Sequence, residues 1–209
     1  WLFINQSLRL ENDEYVYDPH SKGLFIENSK IYGVDDQFIS QSGSTGYGAA
    51  WADYDNDNDF DLYLTNWGKN RLFENNTESF TNIGENSTLE SDSLSNGAGW
   101  GDFNNDGFID IWSNNFKKGD DLLINPGDNS NNEWQLHDTS FLSATQDVIP
   151  ADYNNDGWLD MFTPGLLMAF DNGVEDTPGY KYTSLLYENM MIDSLQSSNN
   201  WLKIDLEGA

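Results

Sequence analysis

The chain has 209 residues and carries 9 Lys and Arg against 36 Asp and Glu, a formal charge of -27 that excludes a nucleic-acid surface built on clustered basic residues. The same charge repels anionic lipid headgroups, and no apolar run approaches the roughly 18 residues of a membrane helix, so cations are expected partners and membrane insertion is not expected. No Cys is present, which rules out disulfides and thiolate metal sites, whereas 8 Trp, 10 Tyr and 12 Phe are too many for a disordered acidic tail and require a buried core.

In chain order, Trp1 to about Ser44 reads as a leading partial unit that opens on the strand-like LFIN at Leu2 to Asn5. Its stretch from Glu11 to Ser44 is long for one outer strand and a linker. The first complete unit begins with small residues and an aromatic (Gly48, Ala49, Ala50, Trp51) and continues into the nonapeptide DYDNDNDFD at Asp53 to Asp61. Apolar Leu62, Tyr63 and Leu64 follow, then LFENN at Leu72 to Asn76 and a short strand at Phe80 to Ile83. The second unit repeats this order with Gly97, Ala98, Gly99 and Trp100, DFNNDGFID at Asp102 to Asp110, Ile111 and Trp112, LLIN at Leu122 to Asn125, and Trp134 to His137. The third has DYNNDGWLD at Asp152 to Asp160, Met161 and Phe162, an insertion from Pro164 to Thr183, and LLYEN at Leu185 to Asn189. The opening WLFINQ has neither an initiator Met nor a leader pattern, and WLKIDLEGA stops within a strand-like alternation, so a longer parent chain is expected.

The nonapeptides begin at Asp53, Asp102 and Asp152, a period of about 50 residues, and helical periodicity is nearly absent. Four short strands per period is the arithmetic of a β-propeller blade, with the small residues on a strand near the central axis, where bulky side chains would collide. The expected fold is therefore all-β: a partial β-propeller over residues 1–198, with about three complete four-stranded blades plus a partial one. Propellers close with about 4 to 8 blades, so closure by this chain alone is not expected.

In each nonapeptide, oxygen-bearing side chains occupy the first, third, fifth and ninth places. They converge if the backbone coils around a point, which a left-handed residue at the sixth place (Asn58, Gly107, Gly157) permits. Ca2+ takes 6 to 8 oxygen ligands at about 2.3 to 2.6 Å, whereas Mg2+ wants a small octahedron and keeps its waters. The expected donors are Asp53, Asp55, Asp57 and Asp61 with the carbonyl of Asp59; Asp102, Asn104, Asp106 and Asp110 with the carbonyl of Phe108; and Asp152, Asn154, Asp156 and Asp160 with the carbonyl of Trp158. About three Ca2+ ions are expected. Carboxylates about 4 Å apart at an effective dielectric near 20 repel by roughly 4 kcal/mol. The first loop, with four side-chain carboxylates, should therefore bind tightest and be least stable when empty. An EF-hand begins similarly but needs flanking helices and a Glu at its twelfth place, where this chain has Leu64, Ser113 and Thr163.

These loops, with the preceding GAAWA and GAGWG and the following NRLFENN, resemble FG-GAP/VCBS repeats, the calcium-loop blades of integrin-α-like propellers. AAWADYDNDNDFDLYLTN together with NNWLKIDLEG at Asn199 to Gly208 resembles more narrowly the cartilage acidic protein/UnbV group, in which such repeats precede a C-terminal module. The resemblance implies a calcium-stabilised propeller at an extracellular, cell-surface or periplasmic location, serving adhesion or recognition of a protein or glycan, with no activity common to all members. On that basis residues 199–209 either open a truncated C-terminal module or complete the last blade.

Enzyme motifs are missing: His20 and His137 lie in no metal or nucleophile pattern, and there is no G-x-S-x-G or phosphate loop. The competing reading is a polysaccharide lyase or hydrolase on a calcium-stabilised propeller, with Tyr180, Lys181 and Tyr182 in the insertion as its proton-transfer cluster. Sequons occur at Asn5, Asn75 and Asn86, a weak signal in an Asn-rich chain, and Trp67 is expected to pack between sheets rather than stack on sugars.

Overall fold

Every Asp-rich nonapeptide links two antiparallel strands, so the loop is the hinge of a hairpin and the repeat becomes a sheet. The computed structural model describes residues 3–5, 8–11, 14–17, 25–34, 45–85, 87–127, 133–138, 143–165 and 184–190. The leading region contributes β1 (Phe3–Asn5) paired with β4 (Phe25–Glu27), β2 (Leu8–Glu11) paired with β3 (Glu14–Tyr17), and one short helix, α1 (Ser29–Tyr32). Blade 1 is the meander β5 (Thr45–Ala52), β6 (Asp61–Lys69), β7 (Arg71–Asn75) and β8 (Phe80–Asn82). Blade 2 repeats it with β9 (Asp92–Gly101), β10 (Asp110–Lys118), β11 (Asp121–Ile124) and β12 (Gln135–Asp138). Blade 3 comprises β13 (Ser143–Ala144), β14 (Ile149–Ala151), β15 (Asp160–Thr163) and β16 (Leu185–Tyr187), the last three forming one sheet. The fold is nearly all β, a curled antiparallel arrangement of partial propeller blades. Residues 166–183 of the insertion, and 199–209, lie outside the described residues.

Blades 1 and 2 share one sheet, which β13 also joins, whereas β14 to β16 form their own. β6 outruns its own blade and pairs with the start of the next inner strand (Trp67↔Leu94, Lys69↔Asp92), and β10 does the same with β13 (Phe116↔Ala144, Lys118↔Ser143). Seven strands from β12 to β8 thus form one hydrogen-bonded path. Where inner strands converge, a side chain has no room. A Cβ on Gly48 would stand 2.5 Å from Asn96 O, and one on Gly97 would meet Gln146 O at 3.0 Å, so the small residues ahead of the first two loops do sit where neighbouring blades approach closely.

Between blades 1 and 2 the core consists of Tyr54, Tyr63, Leu72, Leu89, Ile111, Leu123 and Trp134; between blades 2 and 3 it consists of Phe103, Trp112, Val148 and Met161. Val34, just after α1, covers Leu62 and Phe73 on the other face of blade 1. Tyr63, Leu72, Ile111 and Leu123 are fully buried, and burying each of the three aliphatic side chains among them stabilises by about 1.5–3 kcal/mol. Trp67 is half-buried, stacked on Tyr47 at 4.6 Å and on Phe116 at 6.2 Å, and donates Nε1–H to Asn96 Oδ1. Its ring serves packing across blades.

Candidate metal centres

All three loops share one hydrogen-bonded skeleton. The first Asp accepts from the backbone N–H groups of the fifth and sixth residues: Asp57 and Asn58 on Asp53 (2.9 and 3.0 Å), Asp106 and Gly107 on Asp102 (3.0 and 2.9 Å), Asp156 and Gly157 on Asp152 (3.1 and 3.0 Å). Oδ1 of the third residue also accepts from the fifth N–H, and Oδ1 of the fifth accepts from the seventh. Asp57, Asp106 and Asp156 therefore each brace the loop through one oxygen.

Two left-handed residues bend each loop. At the sixth place Asn58, Gly107 and Gly157 have φ of 75°, 93° and 93°; at the fourth place Asn56, Asn105 and Asn155 have φ of 62°, 56° and 61°. The fourth-place turn is a feature that sequence reasoning missed. Its signal was present, since all three copies carry Asn there, the non-glycine residue best suited to that region.

The ninth Asp is the buried anchor: Asp61, Asp110 and Asp160 are at most 1% exposed. Its two oxygens accept from the backbone N–H of the second loop residue and of the Asn at or just past the end of the third strand: Tyr54 and Asn75 on Asp61, Phe103 and Asn125 on Asp110, Tyr153 and Asn189 on Asp160. Burial pushes the Asp61 carboxyl up to about 6 and Asp110 up to about 7, against the opposing pull of those N–H groups. Burial also raises Asp102. A cation bound beside these carboxylates would favour their ionised form and displace the proton that burial favours.

Carboxylate oxygens of Asp53, Asp55 and Asp61 lie within 4.8 Å of one another, so the first loop gathers three ligands at one point and can hold a metal ion. Asp57 is outside that group, and the Asp59 carboxylate is drawn away by Thr77, whose Oγ1 donates to it at 2.9 Å. Loops 2 and 3 place Asp102, Asn104, Asp106, Asp110 and Asp152, Asn154, Asp156, Asp160 on the same skeleton, but the third residue is an amide that donates to the fifth: Asn104 Nδ2 to Asp106 Oδ2 and Asn154 Nδ2 to Asp156 Oδ2, each 2.9 Å. Phe108 and Trp158 hold the seventh place through their own N–H bonds. The donor set is oxygen throughout, which fits a hard divalent cation and no soft metal.

Other candidates fare differently. His137 is exposed on β12 beside a cavity of about 600 Å³ between blades 2 and 3, lined by Phe103, Trp112, Leu159, Met161 and Tyr187. His20 and the cluster at 180–182 lie outside the described residues, as does the sequon at Asn86. The Asn75 amide is engaged, donating to Phe60 O at 3.1 Å.

Repeated antiparallel blades, each with an oxygen-lined loop between its first two strands, define a propeller-type repeat protein. The FG-GAP-like repeat model matches residues 53–113 and 102–163, together just over half of the chain, and the chain belongs to that family. Each match starts at an acidic loop and runs through the next. Comparison with curated proteins found no match.

Proposed function

We propose that the chain is a calcium-stabilised propeller segment in which each of the three loops takes one Ca2+, and that it serves as an adhesion or recognition module of a secreted, cell-surface or periplasmic protein. The observation that carries the metal reading is the convergence of Asp53, Asp55 and Asp61 on a loop whose skeleton recurs twice more. Bound Ca2+ would supply the positive charge that the buried carboxylates lack. The loops' own residues position those oxygens and tie each hinge to its blade.

The module reading draws on the family, whose members are generally structural or recognition units, and the ligand is proposed to be a protein or a glycan. No described helix is long and apolar enough to cross a membrane. A place in the cartilage acidic protein/UnbV group is proposed on the Asn199 to Gly208 resemblance. The deciding experiment is thermal unfolding with calcium, magnesium or chelator. At free calcium a hundredfold above Kd, each native-only site adds about 2.7 kcal/mol, so a large calcium shift and a small magnesium shift are expected. Equal melting in calcium and chelator would reject the reading.

A further inference from the structure

The asparagines just past the third strands of blades 2 and 3 do more than close their own loops. Asn125, 5% exposed, donates its backbone N–H to Asp110 Oδ1 at 2.8 Å, while its side-chain nitrogen donates to Ile109 O at 3.1 Å and to Tyr54 O, in the preceding loop, at 2.9 Å. Asn189 repeats the set one blade on: its N–H to Asp160 Oδ1 (2.9 Å), its side-chain nitrogen to Leu159 O (3.1 Å) and to Phe103 O (2.8 Å) in loop 2. A primary amide has two N–H donors, and each of these amides divides them between two successive loops. Loops 2 and 3 are joined again by Asn105 Nδ2, which donates to Gly157 O at 3.1 Å.

We propose that Asn125 and Asn189 are positioning residues that couple the three metal loops, so that calcium binds them cooperatively. This rests on the calcium reading above. The Tyr54 carbonyl lies between the ligand residues Asp53 and Asp55, and the Phe103 carbonyl between Asp102 and Asn104. An empty loop that springs open moves that carbonyl and leaves an amide donor, buried at Asn125 and half-buried at Asn189, unsatisfied, an unfavourable state. The backbone of the same asparagine orients the ninth Asp of the next loop. Filling one loop therefore pre-orders its neighbour, and linkage makes the effect reciprocal.

The test is a site-resolved calcium titration of the full chain in chelator-buffered solution. It follows the backbone amide NMR signals of Asn58, Gly107 and Gly157, each of which reports on the first Asp of its loop. Asp53→Ala with Asp55→Ala empties loop 1. In that variant the calcium affinity of loop 2 is expected to fall about fivefold or more, the lower end of ordinary coupling between sites. Adding Asn125→Ala should shrink that fall to within about twofold, which a merely structural asparagine would not do. Unchanged loop 2 affinity after loop 1 is emptied, with loops 2 and 3 still taking calcium, would overturn the coupling and leave the calcium reading standing. Absence of any response in the unsubstituted chain would remove both. Should Asn125→Ala fail to fold, the comparison without it still decides.

Discussion

Loops 1 and 2 share one skeleton yet resolve their charge in opposite ways. In loop 2 the third residue is Asn104, whose uncharged amide donates a hydrogen bond to Asp106. In loop 1 the third residue is Asp55, a second carboxylate facing Asp57, and burial followed by the charge of Asp57 raises its pKa. Loop 1 also holds Asn58 left-handed where loop 2 has Gly107. Loop 2 is partly self-satisfied, whereas loop 1 gathers three carboxylates that could hold a cation. Two copies of one motif can therefore differ in how far their folding depends on metal.

The largest expected effect tests what the loops have in common. Asp110→Ala strips the partners from the N–H groups of Phe103 and Asn125, and at about 1–3 kcal/mol for each orphaned donor it should lower stability by about 2–6 kcal/mol in calcium, read by chemical denaturation. A loss under about 1 kcal/mol would show that the ninth Asp is no anchor.

Next comes acidity. Asp61 and Asp110 are raised to about 6 and 7, and Asp120, buried where blade 2 meets Thr145, is raised to about 6 by burial. An unfolded Asp ionises near 3.9, so the folded state binds more protons between these limits. The contribution of these groups is fully present below about pH 4 and is lost as pH rises through 6 to 7. Chelated protein should accordingly melt higher at pH 5 than at pH 8. The calcium-induced shift should grow over the same range, because the metal needs the ionised form. A calcium shift independent of pH would break the link between buried carboxylates and metal.

Converting one loop toward the other gives a smaller effect. Asp55→Asn should stabilise the chelated protein by about 1 kcal/mol and weaken loop 1 for calcium about tenfold, measured by calorimetric titration. Asn104→Asp should do the reverse in loop 2. The smallest change is Asn58→Gly, expected to gain about 0.5 kcal/mol by relieving a left-handed non-glycine residue. No gain would mean that local hydrogen bonds already compensate Asn58.

Much of this was legible in the chain. The nonapeptides, the strands around them and the small residues before them follow from local pattern, because a hairpin hinge and its two strands lie within a few residues of one another. The Asn at the fourth loop place and the Asn after each apolar pair were visible but carried no assigned role. Nothing in the spacing says that Asn125 reaches Tyr54, 71 residues earlier, or that Asn189 reaches Phe103, 86 residues earlier.

The sequence by itself determined the repeat, the β class and the oxygen character of the loops, since each depends on residues that are neighbours along the chain. The tertiary structure decided which blade each second strand pairs with at its far end, which carboxylates meet, and which loop each asparagine holds. Those outcomes depend on how tightly the inner strands converge, a distance set by Gly48 and Gly97 only once two blades are packed together.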